Sequence, residues 1–135
     1  MVDIVVNPIF MGSASLLLGT DGYQAHVSSA VFTPGNNTPV VWKGLDPTSV
    51  FSFGQKATWT LDLEYAQDWE TANSLSLYLL ANEGDTIAAV LEPVNGGQGY
   101  TADVIITPGA IGGAVDTVAV GSVSLGVKGR PAAAV

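Results

Sequence analysis

Few residues of this 135-residue chain have the types and spacing that catalysis requires. The single histidine, His26, would have to serve any Ser-His-Asp relay. No Gly-x-Ser-x-Gly turn occurs to present a serine to it. Cysteine is absent, which removes disulfides and thiolate ligands, and one histidine falls short of the several His or Cys that zinc sites gather. Asp62 and Glu64 lie two apart and share a face if their segment is a strand, a spacing suited to paired-carboxylate catalysis. Such catalysis needs one carboxyl desolvated, whereas Lys56, Thr58 and Thr60 predict a wet face. Asp68 and Glu70 flank Trp69 ahead of a helical pattern, where acids complement the positive end of the helix dipole. The glycine runs at 95–99 and 108–113 lead into β-branched residues rather than a helix, so they read as turns and not as phosphate cradles. The sequence predicts no catalytic residue, no cofactor and no metal, and hence not an enzyme.

The elements that position these side chains centre on residues 56–84. Ala57, Trp59, Leu61, Leu63 and Tyr65 alternate with Lys56, Thr58, Thr60, Asp62 and Glu64, the period of a strand with one apolar and one polar face. Ala72, Leu75 and Leu79 then recur at helical spacing, predicting a helix over 71–82 with Asp68 or Thr71 as its cap and Gly84 as its stop. Before this centrepiece, residues 23–33 read as a strand with Tyr23, Ala25, Val27, Ser29 and Val31 on one face and His26 and Phe32 on the other. Residues 33–50 are dense in turn formers (Pro34, Gly35, Asn36, Asn37, Pro39, Asp46, Pro47) and predict a long loop. Its apolar piece Val40-Val41-Trp42, with Lys43, reads equally as an interaction segment or a short edge strand. Strands are expected at 50–53, 86–92, 100–107 and 115–125. Residues 11–19 fit either strand or loop. The resulting division is an N-terminal arm over 1–20, one β domain over 21–131, and a dangling tail at 132–135. The expected class is mainly β (α+β): a β-sandwich or barrel with one short flanking α-helix.

Composition narrows the function classes. Hydrophobic residues make up 47% of the chain and charged residues 12%, a combination that leaves apolar surface for contact with other protein. The net charge of −8, with only Lys43, Lys56, Lys128 and Arg130 as cations, excludes nucleic-acid binding by phosphate neutralisation. It remains compatible with a passage along which nucleic acid slides. No apolar run approaches the roughly 20 residues a transmembrane helix needs. The N-terminus lacks signal-peptide design, with Asp3 where positive charge belongs, so a cytosolic site of synthesis is expected.

The order of pieces is what resembles a known family. The alternating strand with Trp59 is followed by Gln67-Asp68-Trp69-Glu70 and a helix carrying Ser74-Leu75-Ser76-Leu77-Tyr78-Leu79-Leu80. Then come Asn82-Glu83-Gly84-Asp85, a strand closing at Pro93, the run from Ile105 to Gly113, and a Val/Ser strand ending near Gly129-Arg130-Pro131. With Val31-Phe32-Thr33-Pro34 and Trp42-Lys43-Gly44, this resembles the major tail tube protein of long, non-contractile-tailed bacteriophages over residues 20–131. The resemblance implies hexameric rings whose sheets join into a continuous β-barrel. The rings stack into a hollow tube in the virion tail that conducts DNA without binding it specifically. It further implies tail-tip, tape-measure and tail-terminator proteins as partners besides the chain itself. In that picture Thr58, Thr60, Asp62 and Glu64 are candidates to face the lumen, and Asn36, Asn37, Trp42, Lys43 and Asp46 to form a ring-stacking loop. The alternative from another class is a monomeric β-sandwich binding or decoration module, on a capsid or cell surface, recognising sugar or protein.

Overall fold

The centrepiece strand forms where the alternation places it. The computed structural model describes residues 2–35 and 38–134, in the order β1 (Ser15–Leu18), β2 (Asp21–Gly22), β3 (Val27–Gly35), β4 (Val40–Lys43), β5 (Val50–Phe53), β6 (Thr58–Ala66), α1 (Leu75–Ala81), β7 (Thr86–Glu92), β8 (Gly99–Ile105) and β9 (Val120–Ala134). On β6 the apolar set Leu61, Leu63 and Tyr65 is buried and the polar set faces outward. The fold is mainly β, antiparallel and sandwich-like, with one short helix. Seven strands form one sheet in the order β2-β1-β7-β8-β9-β6-β3, and β4-β5 form a separate two-stranded sheet.

The large sheet coils on itself but does not close. Strand β1, beside the two-residue edge strand β2, and β3 at the other margin both line a gap of about 570 Å³ that includes Ser15, Leu16, Ser29, Ala30 and Val31. The concave side holds the core: Leu16, Leu18, Leu61, Leu63, Tyr65, Ala89, Leu91, Val104, Ile106, Val123 and Leu125, with Leu75 and Leu79 from the helix. Helix α1 connects β6 to β7 and covers the end of the coil at which those strands turn around. There Tyr78 packs on Tyr23 with ring centroids 5.5 Å apart. Gly121 lies on β9 against Tyr65, and a Cβ at that position would come within 2.8 Å of the tyrosine ring. That close approach is why a strand interior carries glycine here.

The structure changes several boundaries. The helix starts at Leu75, and its cap is Ser74 rather than Asp68 or Thr71; the Ser74 hydroxyl accepts from the Leu77 N–H at 3.5 Å. Asp68 instead accepts the N–H groups of Glu70 and Thr71, both at 3.1 Å. Asn73 adopts φ 63°, so the chain turns before the helix can begin. Gly84 takes φ 86° past the Asn82 C-cap, as its place in the sequence predicts. On β3 a register shift between Val27 and Ser29 resets the alternation. Ala30 and Phe32 therefore pack on the core while Ser29 and Val31 face out, and Tyr23 and Ala25 lie ahead of the strand.

The expected arm over 1–20 is shorter. β1 pairs with β7 from Ser15↔Glu92 to Leu18↔Ala89, and its Leu16 and Leu18 are buried, whereas residues 2–11 are exposed. The last strand begins at Val120, not 115, and the expected tail does not dangle: Ala132, Ala133 and Ala134 pair with Thr101, Tyr100 and Gly99. Residues 33–50 are not a plain loop. β3 runs through Gly35, and the excursion before β6 is built around the β4-β5 hairpin, in register from Val40↔Phe53 to Lys43↔Val50.

Candidate interaction surfaces

Thr58, Thr60, Asp62 and Glu64 do share one face of β6, on the outer side of the coiled sheet. Their neighbours come from β3 and β9 through the cross-strand pairs Thr33↔Thr60, Val31↔Asp62 and Ser29↔Glu64 on one side, and Asp62↔Ser124 and Glu64↔Ser122 on the other. Asp62 is the hub. Its carboxylate accepts hydroxyl hydrogen bonds from Ser124 at 2.6 Å, Thr33 at 2.8 Å and Thr60 at 3.3 Å. The Ser124 hydrogen bond, aided by those from Thr33 and Thr60, holds the Asp62 carboxyl below the ordinary carboxylate range against a smaller opposing effect of partial burial. Glu64 is exposed beside it, and the Thr58 hydroxyl lies 3.5 Å from the Gly35 carbonyl oxygen. The face is thus a plate of short hydroxyl side chains around fixed negative charge. Three of its members, Thr33, Ser122 and Ser124, escape a reading of β6 alone, because only strand pairing brings them there.

The second surface is the hairpin. Trp42 and Lys43 end β4, and the Trp42 ring packs tilted on Phe51 with centroids 5.9 Å apart. All eight residues of β4 and β5 are exposed, Trp42 by 57%, Phe51 by 54% and Phe53 by 60%. Asp46 shapes the hairpin end: its carboxylate accepts from the Thr48 N–H at 3.1 Å and hydroxyl at 3.0 Å. Those bonds, the backbone one first, lower its pKa. Asn36 and Asn37 lie outside the described residues. Phe51 and Phe53 are the members that sequence reasoning assigned only to a strand; their alternation with Val50 and Ser52 carries no mark of which strands stay outside the core.

Two further stretches leave apolar side chains in solvent. One is the N-terminal arm with Val2, Ile4, Val5, Val6 and Phe10, and the other is the connection before β9 with Ile111, Val115 and Val118. The remaining residues singled out for chemistry serve the fold. His26 packs edge-on against Tyr23 at 5.7 Å, with its Nδ1 buried and unpartnered. Burial, with the nearby Asp21 carboxylate, pushes the Tyr23 phenol up to about 12. Gln67 ties the glycine-containing 108–113 segment down: its Oε1 accepts from the Gly112 N–H at 2.9 Å, and its Nε2 donates to the carbonyls of Gly112 and Val120. Among the described residues no three His, Cys, Asp or Glu side chains gather in a metal-holding group. Among the same described residues no helix is long and apolar enough to cross a membrane. No protein-family model and no curated protein sequence matches the chain.

Proposed function

We propose that this chain is a structural virion protein that polymerises into stacked hexameric rings, forming the tail tube through which a bacteriophage ejects its DNA. The observation that carries the reading is the apolar hairpin β4-β5, held clear of the core with Trp42, Phe51 and Phe53 all more than half exposed. A monomer gains nothing from holding such side chains in water, and the order of sequence elements resembles tail tube proteins. The hairpin is the ring-stacking element, and the polar β6 face lines the lumen. There the carboxylates of Asp62 and Glu64 repel phosphate, and the hydroxyls of Thr33, Ser122 and Ser124 offer DNA no cation to hold it. Partners in this setting are the chain itself and tail-tip, tape-measure and tail-terminator proteins.

Negative-stain electron microscopy with sedimentation of the concentrated protein tests the reading, and rings or hollow tubes are the expected result. A protein that stays monomeric even with tail-tip partners present contradicts it. Lumenal placement has its own test: reversing Asp62 and Glu64 to Lys leaves tubes intact and slows DNA release, and normal release kinetics would place the face elsewhere.

One observation favours a second reading, a monomeric binding or decoration module. The paired rings of Trp42 and Phe51 on a projecting hairpin are also what an aromatic platform for sugar or protein looks like. Saturable glycan binding by a strict monomer, abolished by Trp42→Ala, would select it.

A further inference from the structure

The end of the coiled sheet away from α1 is open. Phe32 and Trp59 line it from β3 and β6, Leu91 from β7, Tyr100 from β8, and Pro93 and Pro131 complete an apolar cavity of about 410 Å³. Ile9 and Met11 of the arm reach its rim, and so does Arg130. Upstream of Ile9 the arm finds no cover: Val2, Ile4, Val5 and Val6 are 86%, 93%, 92% and 78% exposed.

We propose that this mouth is the seat of residues 2–8 from a second copy of the chain, an inference that rests on the self-assembly reading and names a contact for it. Three features select that occupant. The arm already supplies side chains to the rim through Ile9 and Met11, yet residues 2–6 do not fold back into their own mouth, so an equivalent mouth on another copy is a surface of matching chemistry. Asp3 is the only charged residue among positions 2–20, and Arg130, one of four cations in the chain, stands at the rim of the cavity. An apolar segment with one anion thus meets an apolar mouth with one cation. Pro8 restricts its own φ and biases Asn7 toward extended backbone, so the arm leaves its own rim extended and residues 2–8 can reach roughly 20 Å into a neighbour.

The absence of cysteine makes the test clean. Full-length Ile4→Cys and Tyr100→Cys, one lengthened by a tag, are mixed and mildly oxidised; Ile4 is 93% and Tyr100 42% exposed, so both thiols are accessible in the single chain, and circular dichroism checks that each variant is folded. A disulfide joining the two different chains, in excess over either variant alone, is expected. Charge exchange supplies the second arm. Asp3→Arg and Arg130→Asp each weaken association about two- to fivefold, as a partly exposed ion pair allows, and the double exchange restores it. Rings or tubes that form without the mixed disulfide and without charge rescue overturn this inference and leave the tube reading standing. A mixed disulfide with charge rescue in a protein that forms only small oligomers supports the seat and counts against the tube. A sugar, lipid or foreign peptide that occupies the mouth without displacing a trapped arm also overturns it.

Discussion

β6 and the β4-β5 hairpin are built from the same kinds of residue and end in opposite surroundings. On β6, Leu61, Leu63 and Tyr65 are at most 2% exposed; on the hairpin, Trp42, Phe51 and Phe53 are more than half exposed. The two are also neighbours in sequence, separated by the short link from Gly54 to Ala57. What separates them physically is the number of paired sides. β6 has a partner along both edges, β3 and β9, and lies over a core that the helix seals. The hairpin strands pair only with each other, and two strands alone cannot bury a face. Apolar content therefore stabilises the fold in one place and leaves adhesive surface in the other.

The contrast can be broken at both ends. Leu61→Ala should have the largest effect, lowering the unfolding free energy by about 2–5 kcal/mol in denaturant titration, because it opens a cavity under a fully buried position. Gly121→Ala should come next, at about 1–3 kcal/mol, since its Cβ would sit 2.8 Å from the Tyr65 ring. Asp62→Asn should cost about 1 kcal/mol near neutral pH by weakening hydrogen bonds from Ser124 and Thr33. Folding lowers the Asp62 pKa, so the stability it adds is fully present above the unfolded carboxylate range. That contribution is lost as pH falls through the lower folded value, and the difference between wild type and Asp62→Asn should shrink over that acidic window. Trp42→Ser should change stability least, within about 0.5 kcal/mol, while sharply reducing sedimenting assemblies. A large loss of stability in Trp42→Ser would erase the distinction between the two regions.

How much of this was legible follows from the range of each interaction. β6 could be read because its alternation is local, and its polar face held as a unit. The Asp62 hub could not, because Thr33 and Ser124 lie 29 and 62 residues away and only the register delivers them. The helix could be read from Leu75 and Leu79, but not its cap: Asp68, Thr71 and Ser74 are all competent, and the left-handed turn at Asn73 decides among them. A dangling tail was the natural reading of three alanines after Pro131, residues with little preference for strands. Their pairing with β8 is a tertiary effect that overrides local propensity. On the hairpin, the exposure of Trp42 and Lys43 was legible from the turn formers around them, but that of Phe51 and Phe53 was not, since periodicity reports which residues share a face and not whether anything covers it.

β9 has a consequence for the time course of folding. Its first half pairs with β6 and its second half with β8, so it alone stitches β3-β6 to the β1-β7-β8 group. It also follows both groups in the chain. A nascent chain therefore exposes the edges of two unfinished sheets until the segment from Val120 to Ala134 has been made, and such long-range closure is slow. The arm and the β4-β5 hairpin, two apolar surfaces that would recruit another copy, are synthesised before that closure, which places the hazard of premature association in the interval before β9 docks.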